Sequence, residues 1–333
     1  MSEDADLLST LHGGVFTAAE AALAGYSERQ IRWRVDSCRW RRLRRGIFCV
    51  ARVFDDSDGP GRMRLQLNAA LLASPRAVVS HYSAGRAFGW PFLGSWDARP
   101  WLTIDRGDTS RTPVHRSTWV IESAGLPAEH VVTRDGLTVT SGPRTAVDLA
   151  RHLPVKEGLV CVDAALHLGD VTPDGLAAVV AYCENWPGIR RARKVVDLAD
   201  GRSESPYETV ARLHAYRLGF GLEPQAWMYD EHGCIGRTDL RIGRHHAVLE
   251  IDGDVKYAAD APNDVLLLEK QRHERAERAG IAMGRLSTTQ ADDPVAVERC
   301  VQLTCSRAAA MATAAGGRIT GYFGPPPAWV RAA

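Results

Sequence analysis

No stretch of the chain approaches the ~20 consecutive apolar residues that a membrane-spanning helix requires. The longest uncharged apolar runs, such as GLAAVVAYC, fall well short. The acidic start MSEDAD lacks the basic and apolar regions of a signal peptide. A soluble, cytoplasmic protein with no membrane partner is therefore expected. Cysteine offers little structure: the seven, at 38, 49, 161, 183, 234, 300 and 305, include no C-x-x-C pair, and their odd number argues against a disulfide framework. Strong overall charge is missing as well. With 41 basic residues against 40 acidic ones the formal net charge is +1, so any field directed at a partner must come from local segregation. Low-complexity sequence is absent, and with 45% apolar residues the chain is expected to fold throughout. Its 333 residues exceed one ordinary core, which implies two or three domains.

Segregation is present near the amino terminus. Residues 28–45, ERQIRWRVDSCRWRRLRR, hold eight arginines against Glu28 and Asp36. Before them, Thr17 with Glu20 in the capping-box position starts a helix that Gly25 ends, and Ser27 caps the next helix, where Ile31 and Val35 mark an apolar face. WRRLRRGIFCVA reads as a strand, a turn at Gly46 and an apolar strand. Together these make a winged helix-turn-helix over 1–53, with Trp33 and Trp40 assigned to packing. Because arginine neutralises phosphate and a helix fits the major groove, Arg29, Arg32, Arg34, Arg39, Arg41, Arg42, Arg44 and Arg45 are the expected contacts to double-stranded DNA.

FDDSDGPGR, 54–62, reads as a turn-rich linker. A mixed α/β middle domain is expected over 54–200 and a further α/β domain over 201–320, followed by a Pro-rich tail, 321–333, with no helix. In SGPRTAVDLA, no catalysis is read into Arg144 or Asp148.

The densest chemistry lies in GRTDLRIGRHHAVLEIDG, read as two strands around a turn at 243–246. With the turn centred there, Asp239 faces Glu250 and Leu240 faces Leu249. Strand alternation then puts Leu240, Ile242, Leu249 and Ile251 on the core side and Asp239, Glu250 and Asp252 on the other. Opposed like charges cost ~0.2–1 kcal/mol per pair. A divalent cation would remove that cost, and an all-carboxylate donor set suits Mg²⁺ or Mn²⁺. A solvated acidic face is the plainer alternative. Glu208 on the preceding helix, Lys256 after the strand, and Lys270, Gln271 and Arg272 on the following helix supply further charged groups. Ser205-Pro206-Tyr207-Glu208 also fits a capping box, so Glu208 has a purely structural use. Arg272, Arg275 and Arg278 recur at helical spacing as a basic stripe. His245 and His246 sit at the turn as weaker phosphate or metal candidates.

SPYE, TDL, LEIDGDVKY and EKQRHERAERAGIAMGRLS resemble the very-short-patch-repair-type branch of the PD-(D/E)XK nuclease superfamily, over about 203–290. That resemblance implies a restriction-endonuclease-like α/β domain with a central mixed sheet. It makes Asp239 and Glu250 the central metal ligands, Asp252 a further ligand or water-orienting acid, Glu208 an additional catalytic acid, and Lys256 a group that positions the attacking water or stabilises the pentavalent state. It also sets Lys270, Arg272 and Arg275 beside the substrate backbone. This sequence departs from the pattern in placing Asp252 at the lysine position of the E-x-K motif. GGVFTAAEAALAGYSERQIRWRVDSCRWRRLRRGIF, with AVVSHYSAGRAFGW and LTVTSGPRTAVDLARHL, resembles AbiEi-type antitoxins over most of 5–170. That likeness implies DNA binding and repression of a toxin operon. The leading expectation is a Mg²⁺-dependent DNA endonuclease carrying a winged helix. The alternative is an antitoxin-like regulator with a degenerate nuclease domain. A homodimer and a toxin or repair partner are compatible with both.

Overall fold

Helix caps set the first elements as the sequence implies. The computed structural model describes residues 7–94, 97–107, 113–253, 263–327 and 330, and for 263–266 only the course of the backbone. Strand β1 (Phe16–Thr17) leads into helix α1 (Ala18–Leu23), where Thr17 Oγ1 accepts the Glu20 N–H and Glu20 accepts the Thr17 N–H at 2.7 Å. The same reciprocal box, Ser27 with Gln30, starts α2 (Glu28–Asp36). Strands β2 (Trp40–Arg44) and β3 (Ile47–Val50) turn at Gly46, whose φ of +71° suits glycine, and β1 pairs with β3 to complete a three-stranded sheet. Phe16, Tyr26 and Phe48 surround Trp40, with Phe16 and Tyr26 edge-on at 4.7 and 5.1 Å.

The amino-terminal three-stranded sheet packs against residues beyond the stretch that carries its sequence signature. IFCV alternates between two apolar clusters: Phe48 packs with Trp40, while Ile47 and Cys49 join Leu43 against Leu65 and Ala69 of α4 (Gly59–Ala73). The stretch expected to be a linker, 54–62, holds the end of the short helix α3 (Ala51–Asp55) and the capped first turn of α4, with Asp58 accepting the Gly61 N–H at 2.8 Å and Pro60 in that turn. The chain divides into two units, residues 1–90 with 94–149 and residues 91–93 with 150–333, and neither cut falls at 53 or 200.

The first unit also contains a six-stranded mixed sheet, ordered β6-β7-β5-β4-β9-β8. Its strands are β4 (Val78–Val79), β5 (Trp101–Asp105), β6 (Val114–Arg116), β7 (Trp119–Ala124), β8 (Val131–Arg134) and β9 (Leu137–Thr140), with α5 (His81–Ala87) after β4. Helix α6 (Gly142–His152) follows.

In the second unit α7 (Val155–His167), α8 (Pro173–Tyr182) and α9 (Ile189–Leu198) precede α10 (Pro206–Arg217). Asp163 on α7 is fully buried and accepts from Asp200 N–H (2.8 Å), Thr209 Oγ1 (2.8 Å) and Arg212 Nη2 (2.7 Å). That carboxylate fastens α7 to α10, across the expected boundary at 200. A five-stranded sheet, ordered β13-β12-β11-β10-β14, forms the rest: β10 (Leu222–Asp230), β11 (Gly233–Ile242), β12 (Ala247–Asp252), β13 (Ala282–Ser287) and β14 (Tyr322–Gly324). The Pro-rich tail, where no helix is expected, contributes an edge strand, Tyr322 pairing with Tyr229. Helices α11 (Asn263–Arg278), α12 (Thr288–Ala291) and α13 (Pro294–Ala314) complete it. Among the described residues the protein is a mixed α/β chain with three sheets, and no helix is long and apolar enough to cross a membrane.

Candidate functional site

Strands β11 and β12 pair in the register the sequence implies, Leu240 opposite Leu249. Leu240, Ile242, Leu249 and Ile251 share one apolar cluster with Ala211 of α10 and Val297 of α13. Alternation puts Glu250 on the opposite face with Val248, and that face is a second core, closed by Ala276 of α11 and by Ala279. Glu250 and Asp252 are therefore not solvated, and Asp239 is half-buried. Glu250 is 4% exposed. Its Oε1 accepts from Arg272 Nη1 at 3.2 Å and its Oε2 from Arg272 Nη2 at 3.0 Å, while Nη1 also donates to the Arg237 carbonyl at 2.8 Å. Buried Asp252 lies 3.5 Å from Arg285 Nη1 of β13, and Arg285 Nη2 donates to Glu269 at 2.8 Å. Asp239 Oδ2 accepts the Ile251 N–H at 2.7 Å.

Burial disfavours the charged form of both guanidiniums, but the carboxylates around them prevail. Arg272 is held above the ordinary arginine range by Glu250, with Glu269 and Asp239 adding to it; Arg285 is raised by Glu269, Asp252 and Glu250. The repulsion expected among Asp239, Glu250 and Asp252 is thus relieved by two arginines. A hard divalent cation needs carboxylate oxygens turned into a common space. Here both Glu250 oxygens are committed to Arg272 and one Asp239 oxygen to the backbone, so the donors do not fit the Mg²⁺ or Mn²⁺ expected at these three positions. Among the described residues no group of three or more His, Cys, Asp or Glu side chains is arranged to hold a metal ion.

The other residues expected here disperse. Lys256 lies outside the described residues. Exposed Lys270 sits 4.0 Å from Glu274 on its own helix. Ser205 Oγ accepts the Glu208 N–H at 3.2 Å, but the Glu208 carboxylate accepts from Glu204 N–H (3.0 Å) and Gln225 Nε2 (2.9 Å) and does not return to Ser205, so half of the capping box is present. Arg272 and Arg275 both turn inward and do not form a phosphate-facing stripe. Arg275 grips Asp230 with Nε at 2.7 Å and Nη2 at 2.6 Å, and donates to the Cys234 carbonyl at 3.1 Å.

That grip depresses Asp230 to about 2, through the Arg275 hydrogen bonds and the His232 N–H. An acid lowered in the folded state adds stability that is complete above its unfolded value, near 3.8, and disappears as pH falls through about 2. Wild type should therefore exceed Asp230→Asn by up to about 2 kcal/mol above pH ~4, reduced by solvent on the Arg275 side. The gap should close towards pH ~2, as read by urea unfolding at stepped pH. A gap that does not change with pH would overturn the assignment.

At the amino terminus the eight arginines divide by environment. Arg34 is half-buried, its guanidinium 4.6 Å from the Tyr26 ring and 5.4 Å from that of Trp40. Arg44, also half-buried, stacks on Trp119 at 4.4 Å and donates to the Thr118 carbonyl at 3.2 Å, and burial brings it down to about 10. Arg41 pairs with Asp55 at 2.8 Å. Arg39 lies over exposed Trp33 at 5.0 Å and Arg42 near Phe48 at 5.9 Å, both on the surface. Arg29 and Arg32 are exposed one turn apart on α2, and Arg45 is exposed beside the wing turn.

Sequence reasoning missed Arg285 as a structural cation. The parallel pairing of β12 with β13 sets Arg285 opposite Glu250, an opposite-charge cross-strand pair that no local spacing announces.

The family model described as "Transcriptional regulator, AbiEi antitoxin" matches residues 5–51, and one described as "AbiEi antitoxin C-terminal domain" matches residues 95–198. The uncharacterized proteins Rv2248 and MT2308 of two Mycobacterium tuberculosis strains are each 31% identical over 123 residues, 34% of this chain and 45% of theirs. The chain thus spans less than half the length of these relatives. A crystal structure of the RV2827C protein from Mycobacterium tuberculosis aligns at 15% identity with a TM-score of 0.41, over 58% of this chain and 74% of that one.

Proposed function

Since the chain carries the amino-terminal transcriptional-regulator region and the carboxy-terminal domain of the AbiEi antitoxin family, we propose that it is a DNA-binding regulator of the antitoxin type. The observation that carries this reading is the surface formed by Arg29 and Arg32 on α2 with Arg45 at the wing turn, all exposed on a winged helix. The second helix of such a motif enters the major groove while its flanks meet the backbone. Arg39 and Arg42 extend the same basic surface. Arg34 and Arg44 act differently, holding the aromatic packing that orients it. The antitoxin match also calls for a toxin partner. Cleavage of DNA is not part of this reading, because two of the carboxylates it needs, Glu250 and Asp252, are paired with arginines within the fold.

The test is fluorescence anisotropy with duplex DNA from upstream of the protein's own reading frame, between roughly 50 and 200 mM salt. Wild-type affinity should fall steeply across that range. Combined Arg29→Gln and Arg32→Gln should weaken binding about tenfold or more and reduce the salt slope by about 2, one per lost phosphate contact. A slope unchanged in the double variant would place the interface elsewhere.

A further inference from the structure

Helix α4 has two working faces. Leu65 and Ala69 pack beneath the wing with Leu43, Ile47 and Cys49. Its other face, carrying Met63, Arg64 and Leu67, lines a cleft of about 380 Å³ completed by Arg86 of α5, Arg99 and Leu137. That volume falls within the range of small-molecule sites. The lining combines an apolar floor with three guanidiniums. Arg99 is balanced by Asp97, whose Oδ1 lies 2.9 Å from its Nε, and Arg64 donates to the Asp135 carbonyl at 2.9 Å. The Asp135 carboxylate, also at the cleft, offsets part of the charge and leaves the balance positive. Arg86 lines the cleft from α5, and burial holds its guanidinium below its ordinary range. Ser83, also in the lining, accepts the Trp101 N–H at 2.9 Å and keeps a hydroxyl proton to donate.

We propose that this cleft binds a small organic anion, a carboxylate or phosphate on an apolar body, and that its occupancy is transmitted through α4 to the DNA-binding wing. Arg86 and Arg64 take the charged group, with Ser83 as a further donor, and Met63, Leu67 and Leu137 take the apolar body. The transmission rests on the regulator reading; the binding site does not. Because α4 meets the wing on one face and the ligand on the other, a ligand that favours one placement of α4 changes DNA affinity by its differential binding to the two placements.

The full chain is tested by thermal unfolding with phenyl phosphate, benzoate or inorganic phosphate, wild type beside Arg86→Gln and the surface variant Arg64→Gln, and by DNA anisotropy with and without the stabilising compound. At saturation phenyl phosphate or benzoate should raise the wild-type Tm by about 2 °C or more, and by less than half as much in either variant. The same compound should change DNA affinity at least about threefold. Which of the two is more effective separates a phosphate from a carboxylate ligand. No rise, or an equal rise in wild type and both variants, overturns the site, and an equal rise with inorganic phosphate overturns the apolar part. Binding that leaves DNA affinity unchanged overturns the transmission. If no DNA binds at all, the regulator reading falls and the transmission with it, while the thermal shifts still decide the site.

Discussion

Replacing Arg272 with alanine should lower the free energy of unfolding by about 3–5 kcal/mol, and Glu250→Ala should do nearly the same. Glu250 is 4% exposed and has both oxygens on Arg272. Removing the guanidinium leaves a carboxylate in a core built by Val248, Ala276 and Met283. Removing Glu250 leaves a largely buried cation whose remaining contacts are the Arg237 carbonyl and the field of Glu269 and Asp239. A pair of this kind is expensive to break and cheap to replace whole, so Glu250→Met combined with Arg272→Met should recover most of the loss. The metal-pocket expectation gives the opposite signs. Carboxylates waiting for a cation repel one another, so Glu250→Ala in chelator would be neutral or stabilising, and Mg²⁺ would raise the wild-type Tm. Urea unfolding of the two single variants and the double variant, in chelator and in Mg²⁺, separates the two accounts. A stable Glu250→Ala protein together with a Mg²⁺-dependent Tm would restore the cation.

The local part of this arrangement was legible in the sequence and the tertiary part was not. Register follows from the turn and from alternation, both short-range, and Leu240 does face Leu249. The caps at Thr17 and Ser27 follow from a spacing of three residues. What alternation cannot say is whether the far side of a strand meets water or a helix, and α11, which covers Glu250, starts more than ten residues further on. Arg272 and Arg275 at helical spacing look like a phosphate-binding stripe because sequence gives their period and not the direction in which the helix turns them. They turn towards Glu250 and Asp230, leaving Arg278 on the surface beside Glu274. The Gly and Pro content of 54–62 suggested a linker, since the same residue types make turns and begin helices. Composition likewise could not separate the arginines that stack on Tyr26, Trp40 and Trp119 from those left exposed for DNA.

Asp148→Ala should cost the first unit about 3–5 kcal/mol, at a helix where the sequence suggested no chemistry. Arg144 and Asp148 are one turn apart on α6, with side chains about 1% exposed, and Arg144 Nε meets Asp148 Oδ2 at 2.7 Å. Arg144 Nη1 donates to the Gly125 carbonyl at 2.8 Å and lies 3.3 Å from His130 Nδ1. Burial and the Arg144 charge hold His130 below its ordinary range, so near neutral pH the ring is uncharged and Nδ1 accepts. One guanidinium thereby ties α6 to the end of β7 and the approach to β8. Without Asp148 that guanidinium loses its carboxylate partner in a site where both side chains are about 1% exposed. Asp148→Asn keeps a hydrogen-bonding oxygen and should lose less, while replacing Arg144 and Asp148 together by apolar residues should lose less than either single alanine variant. The fluorescence of Trp40, Trp90 and Trp101, all buried in this unit, reports its urea unfolding. A loss below about 1 kcal/mol for Asp148→Ala would mean that solvent or a rearranged neighbour replaces the carboxylate, and that the pair does not hold the unit together.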